Sequence, residues 1–132
     1  MHLEKRVKNK RISVLVVDDE GVMRSLFTDL LTERGYEVIA VRHGQEAVEK
    51  IKEIDFAIAF IDVHMPVMNG VETLRAIREI KPQIRIVMMD SFPNALIEQA
   101  RREGAITCIH KPFEIEEIIE LMEEVVEQKE EV

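Results

Sequence analysis

The sequence has a single cysteine, and it has no apolar stretch long enough to cross a membrane. Cys108 cannot form an internal disulfide, and it stands in the apolar run 106–109, so we interpret it as a small core residue rather than a redox group. The apolar run at 12–17, after the basic N-terminus, is too short for a secretion signal or a membrane span. We therefore expect a soluble protein of a reducing, cytoplasmic compartment, without membrane insertion.

Positive charge is in the minority, with 18 Lys and Arg residues against 26 Asp and Glu residues and a net charge of −8. This balance argues against direct binding of nucleic acid by the domain as a whole, although residues 1–11 are basic. A hydrophobic fraction of 46% in 132 residues fits one domain with a real core. We predict a basic flexible arm at 1–11, a domain at 12–128 and an acidic tail at 129–132.

Short apolar runs alternate with amphipathic helical patterns along the chain. The runs predict strands at 12–17, 36–41, 56–61, 84–89 and 106–109. The patterns predict helices at 21–34, 45–54, 94–103 and 114–128, and a further helix, third in chain order, whose apolar spacing runs from 67 to 77. The third helix would follow a turn at Pro66 and Gly70, with Val67, Val71 and Leu74 on its inner face. This alternation predicts a doubly wound α/β domain whose five strands are parallel.

Polar residues follow four of the predicted strands at the point where each strand ends. They are Asp18 and Asp19, then Asp62, then Asp90 and Ser91, and finally Lys111. The carboxyl ends of parallel strands share one edge of the sheet, and converging carboxylates repel each other unless a cation such as Mg²⁺ lies among them. A lysine beside them completes a site for a phosphoryl group, in which a strand-end carboxylate can attack phosphorus.

The combined motif resembles the receiver domain of bacterial two-component response regulators. Its parts are Asp18-Asp19, Asp62 followed by Met65-Pro66 and Gly70, and Lys111-Pro112-Phe113. The likeness covers residues 12 to about 128 and is nearest to stand-alone receivers of the chemotaxis and sporulation-phosphorelay type. It implies the flavodoxin-like receiver fold with strand order 2-1-3-4-5.

The resemblance also implies a role for each site residue. Asp62 would accept a phosphoryl group from a sensor histidine kinase or a phosphotransfer protein, and Lys111 would contact that group, with a cis peptide bond before Pro112. Asp19, Asp62 and the backbone carbonyl of His64 would bind Mg²⁺ directly, or Mn²⁺ in its place, and Asp18 would act through water. The module would signal to a downstream protein by contacts, and it would not be a turnover enzyme.

Asp90 departs from the family pattern, because receivers carry Thr or Ser there as a hydrogen-bond donor to the phosphoryl group. A carboxylate about 4 Å from a phosphoryl oxygen would cost on the order of 4 kcal/mol per charge pair at an effective dielectric constant near 20. Four interpretations remain open: Asp90 pairs with Lys111, Ser91 supplies the hydroxyl, Asp90 imitates or blocks activation, or Asp90 points to solvent. Phe92 would occupy the position of an aromatic switch residue.

Two other functions remain as alternatives. A pseudo-receiver would keep the fold and act as a binding module that Asp90 makes independent of phosphorylation. A magnesium-dependent phosphatase or phosphotransferase would use an aspartyl-phosphate, but that class needs a second acid two residues after the nucleophile, where this chain has His64. Flavin binding is disfavoured because acidic residues 18–20 would repel a flavin phosphate.

Overall fold

The computed structural model describes residues 11–91 and 95–131, the last four of them by backbone alone. Most of the predicted basic arm, the aromatic switch candidate Phe92 and the terminal Val132 lie outside the described residues. Within the described ranges, five strands and five helices alternate. They are β1 Ser13–Val17, α1 Gly21–Glu33, β2 Glu37–Val41, α2 Gly44–Glu53, β3 Ile58–Asp62, α3 Gly70–Ile80, β4 Arg85–Asp90, α4 Ala95–Arg102, β5 Thr107–His110 and α5 Ile115–Glu131.

The strands form one sheet in the order β2-β1-β3-β4-β5, with parallel pairing throughout. This confirms the predicted doubly wound fold and its strand order. The register pairs Val17 with Ile61, Asp62 with Met89, and Asp90 with His110. The carboxyl ends of the central strands therefore lie side by side at one edge of the sheet.

The two central strands are buried along their whole length, because helices cover both faces of the sheet. Successive side chains point to opposite faces, so Leu15 joins one apolar cluster while its neighbour Val16 joins the other. Phe60 packs in the second cluster against Phe27 of α1, with ring centroids 5.0 Å apart. Full burial of each such side chain contributes about 1.5–3 kcal/mol, which holds the strand ends firmly in place.

The start of α3 corrects one sequence-based prediction. Asn69 caps the helix by accepting a hydrogen bond from the Glu72 backbone N–H at 2.9 Å, and the Glu72 carboxylate accepts one from the Asn69 N–H at 2.9 Å. This capping box begins the helix at Gly70, so Val67 belongs to the preceding loop and not to the inner face of α3. Val67 is fully exposed, and its positive φ of 70° is strained for a β-branched residue.

Smaller differences occur at other element ends. β3 begins at Ile58, two residues later than predicted, and β5 is shifted by one residue so that it includes His110. α5 continues to Glu131, three residues beyond its predicted end, because the glutamate-rich sequence favours the helix. Within the described ranges, no helix is long and apolar enough to cross a bilayer.

Cys108 lies on β5, where it is half-buried and packs against the apolar cluster that contains Leu15. Burial raises the pKa of its thiol to about 11, and the charge of Asp90 adds to the shift while Arg101 opposes it. A thiol with so high a pKa carries little thiolate at neutral pH, which agrees with a packing role.

Candidate functional site

Three aspartates meet at the carboxyl edge of the sheet. Asp18 and Asp19 follow β1, Asp62 ends β3, and carboxylate oxygens of all three lie within 4.8 Å of one another. Asp18 is fully buried, Asp62 is nearly so and Asp19 is exposed. Oxygen ligands at this separation with one open side suit a hard divalent cation. The donor set therefore fits the magnesium site that the sequence predicts.

The carboxylate of Asp62 has an unusual environment for an aspartate. Burial raises its pKa from 3.8 to about 7, and the negative charges of Asp18 and Asp19 add to the shift. Lys111 and a hydrogen bond from the His64 backbone N–H oppose the shift, because both favour the charged carboxylate. The balance between these groups makes Asp62 sensitive to any cation that joins the cluster.

Lys111 supplies the positive charge within this acidic cluster. Its Nζ lies 2.8 Å from Asp18 Oδ2, 3.1 Å from Glu20 Oε1 and 3.6 Å from Asp62 Oδ1. Burial by itself would lower the pKa of Lys111, but the hydrogen bond to Asp18 and the nearby charges of Asp62 and Glu20 outweigh it and raise that pKa. The lysine is thus held as a cation beside Asp62.

Glu20 is a site residue that the sequence analysis missed. Its backbone N–H donates to Asp18 Oδ1 at 2.9 Å, while its exposed carboxylate contacts Lys111. The only signal in the sequence is its position directly after Asp18 and Asp19. Ninety-one positions separate Glu20 from Lys111, and no periodicity links them.

The loop after β5 directs Lys111 into the site. The Lys111 backbone N–H donates to the Asp90 carbonyl at 2.5 Å, and the Lys111–Pro112 peptide bond is cis, as the resemblance implies. Phe113 then packs edge-on against Phe27, with ring centroids 5.7 Å apart. These contacts tie the loop to the neighbouring strand and to α1.

Asp90 lies at the end of β4 and is fully buried, so the interpretation that it points to solvent is wrong. The structure does not have the pairing with Lys111 either: among the described residues, the carboxylates within ion-pair distance of Lys111 are those of Asp18, Glu20 and Asp62. The Asp90 carboxylate lies beside His64, whose Nε2 is 3.4 Å from Asp90 Oδ1. The Ser91 backbone N–H donates to the same oxygen at 2.8 Å. The Ser91 residue itself is exposed, and its role as a substitute hydroxyl stays a prediction.

Gly70 has a steric role beside β3. A Cβ at this position would lie 2.5 Å from the Asp62 carbonyl oxygen and 2.8 Å from Val63 Cα, which real side chains do not tolerate. The Gly70 N–H also donates to the Val63 carbonyl at 2.9 Å. Glycine thus lets the first turn of α3 pack directly on the backbone that carries Asp62.

Comparison with known proteins gives a consistent result. Residues 14–123 match the family model described as the response regulator receiver domain. Chemotaxis protein CheY of Thermotoga maritima is 37% identical over 85% of this chain and 95% of its own length. Sporulation initiation phosphotransferase F of Bacillus subtilis is 28% identical over 80% of this chain and 86% of its own length.

A solved structure is similar in three dimensions as well. That of chemotaxis protein CheY4 of Vibrio cholerae, crystallised at low pH, superposes with a TM-score of 0.81 at 30% identity, covering 88% of this chain and 99% of the other. The sheet order, the acidic cluster at its carboxyl edge and these matches all point to the same family. The chain belongs to the response regulator receiver domain family.

Proposed function

We propose that Asp62 is the phosphoacceptor of a two-component or phosphorelay system. The observation that carries this proposal is the setting of its carboxylate, which is nearly buried at the end of β3, beside Asp18 and Asp19 and 3.6 Å from Lys111. The chain would take the group from the phosphohistidine of a sensor histidine kinase or a phosphotransfer protein. The names of the relatives, which include a phosphotransferase, support partners of this kind.

In the transfer, an Asp62 oxygen attacks phosphorus, the P–N bond to the donor imidazole breaks, and the chain carries an aspartyl-phosphate. Lys111 lies close enough to Asp62 to move towards a phosphoryl oxygen while its aliphatic stem stays buried. The ion pairs with Asp18 at 2.8 Å and Glu20 at 3.1 Å hold the lysine beside the acceptor until then. The His64 N–H hydrogen bond keeps the acceptor carboxylate oriented.

Asp19, Asp62 and the His64 carbonyl would hold Mg²⁺, or Mn²⁺ in its place, and Asp18 would act through water. The bound ion would neutralise negative charge on the carboxylates and the phosphoryl group. The buried position of Asp18 and its hydrogen bonds to Lys111 and the Glu20 N–H support an indirect role for it. The chain modifies itself and does not turn over an external substrate. It would act in the cytoplasm on a downstream protein, without binding nucleic acid.

The test is intact-mass measurement after incubation with acetyl phosphate and Mg²⁺. We expect the parent to gain one phosphoryl group and the Asp62→Asn variant to gain none, because an amide cannot act as the nucleophile. Asp55→Asn is the matched control, since Asp55 is an exposed aspartate in the loop that precedes β3. Equal labelling of Asp62→Asn and the parent would rule out Asp62 as the acceptor.

A binding module that does not depend on phosphorylation is the second candidate, and the burial of Asp90 beside the site favours it. In the same experiment, this function predicts that the parent stays unlabelled while Asp90→Thr is labelled. That pattern would mean that Asp90 blocks the acceptor, and that the chain acts through binding alone.

A further inference from the structure

The buried carboxylate of Asp90 has no role in the transfer described above. It lies at the end of β4, which pairs with the acceptor strand through Asp62 and Met89. Its charge stands near a site that already contains three carboxylates. A buried charge is strongly unfavourable unless other groups satisfy it, so the partners of Asp90 matter for the whole site.

His64 contacts both the acceptor and Asp90. Its backbone N–H hydrogen-bonds the Asp62 carboxylate, and its side-chain Nε2 lies 3.4 Å from Asp90 Oδ1. An ionised carboxylate only accepts hydrogen bonds, so Nε2 is the atom of the imidazole that can serve it as a donor. The His64 side chain is 47% exposed and that of Asp90 is 0% exposed, so the imidazole lies against the buried carboxylate while it reaches solvent itself.

Asp90 also joins the loops that surround the acceptor. Its carboxylate accepts from the Ser91 N–H in the loop after β4, and its carbonyl accepts from the Lys111 N–H in the loop after β5. The contact with His64 adds the loop after β3. Loops from three neighbouring strands therefore meet at this one residue.

We propose that His64 is a positioning residue that covers the Asp90 carboxylate and keeps its charge away from a phosphoryl group on Asp62. Asp90 and His64 then act as a matched pair, and Asp90 disfavours phosphorylation more strongly when His64 is absent. This inference rests on the proposed function of Asp62. It involves no bond-making step of its own.

The pairing is tested by a double-mutant cycle of the parent, His64→Ala, Asp90→Thr and the double variant. The His64→Ala change keeps the backbone N–H and carbonyl, so it removes only the imidazole. The measurement is the steady-state ratio of phosphorylated to unphosphorylated protein with acetyl phosphate and Mg²⁺. The decay rate after removal of the donor is measured in parallel.

We expect His64→Ala to lower the ratio by roughly tenfold, which corresponds to about 1.4 kcal/mol, because it leaves a like charge uncovered beside the phosphoryl group. Asp90→Thr should raise the ratio and slow the decay. In the Asp90→Thr background, His64→Ala should change the ratio by less than about twofold, because no carboxylate remains to be covered. His64→Gln, which keeps an N–H donor near the position of Nε2, should restore most of the loss.

Two outcomes would overturn the pairing: the same fold change for His64→Ala in both backgrounds, or no restoration by His64→Gln. Circular dichroism and urea unfolding of each variant show whether it is folded, so a loss of labelling cannot be mistaken for a loss of structure. Absence of labelling in all variants, including Asp90→Thr, would contradict the proposed function itself. Additive effects of the two substitutions on labelling would contradict only the pairing of His64 with Asp90, and not the proposed function.

Discussion

Two lysine–aspartate ion pairs of almost equal length lie at opposite ends of the sheet. At the carboxyl end, Lys111 Nζ is 2.8 Å from Asp18, with side-chain exposures of 12% and 0%. At the amino end, Lys81 Nζ is 2.7 Å from Asp55, with exposures of 40% and 88%. The two pairs therefore differ in their contact with water and hardly at all in distance.

This difference matters because Coulomb energy depends on the surrounding dielectric as well as on distance. Water screens the exposed pair, and its two side chains lose conformational entropy when they meet. The buried pair is screened much less, and loss of one partner would leave a charge without compensation. Electrostatic interactions are thus stronger at the carboxyl end of the sheet, where the charges are buried, than at the amino end, where water screens them.

Replacement of Lys111 by Met should have the largest effect on stability. It removes the cation from Asp18 and Asp62 while it keeps an unbranched apolar stem. We expect the free energy of unfolding to fall by about 3–5 kcal/mol at pH 8 without Mg²⁺, because buried carboxylates lose their compensating charge. Urea unfolding followed by circular dichroism measures this change.

The matched control for Lys111→Met is the same change in an Asp62→Asn background. One of the three carboxylates is then neutral, so the loss of the lysine should matter less. An equal loss in both backgrounds would show that Lys111 stabilises the fold by packing and not by its charge.

Much of this architecture could be predicted from the sequence, since the apolar runs and glycines mark the strands and helices. The carboxyl ends of parallel strands share one edge of the sheet, which places Asp18, Asp62 and Lys111 together. The contacts of Asp90 with His64 and of Glu20 with Lys111 could not. They join side chains of different loops, whose directions depend on tertiary packing and not on any local period. Val67 was misplaced for a simpler reason: its apolar spacing continued the pattern of α3, while the capping box formed by Asn69 and Glu72 set the true start.

Replacement of Asp62 by Asn should stabilise the metal-free protein, in contrast to the loss of Lys111. The pKa of Asp62 is raised from 3.8 to about 7, so the folded state holds its proton to a higher pH than the unfolded state does. The free energy of unfolding of the parent therefore falls as pH rises from about 4 to about 7. Above about pH 7 the ionisation of Asp62 causes no further loss. The amide side chain of the variant has no such proton to lose.

We expect the stabilisation by Asp62→Asn to be near zero at pH 4 and to reach about 1–3 kcal/mol at pH 8. Thermal unfolding at a series of pH values measures it. Added Mg²⁺ should reduce the difference at pH 8, since the cation stabilises the ionised cluster of the parent more than that of the variant. A stabilisation independent of pH would show that the buried negative charge of Asp62 is not its cause.

Replacement of Lys81 by Met should have the smallest effect. The change is chemically identical to Lys111→Met and alters the net charge by the same amount, but its partner Asp55 is 88% exposed. We expect the free energy of unfolding to change by less than about 0.5 kcal/mol, and labelling by acetyl phosphate to stay at the parent level. A loss at Lys81 as large as that at Lys111, measured in the same buffer, would mean that burial does not separate the two pairs. The carboxyl end of the sheet would then have no stronger electrostatic coupling than the amino end.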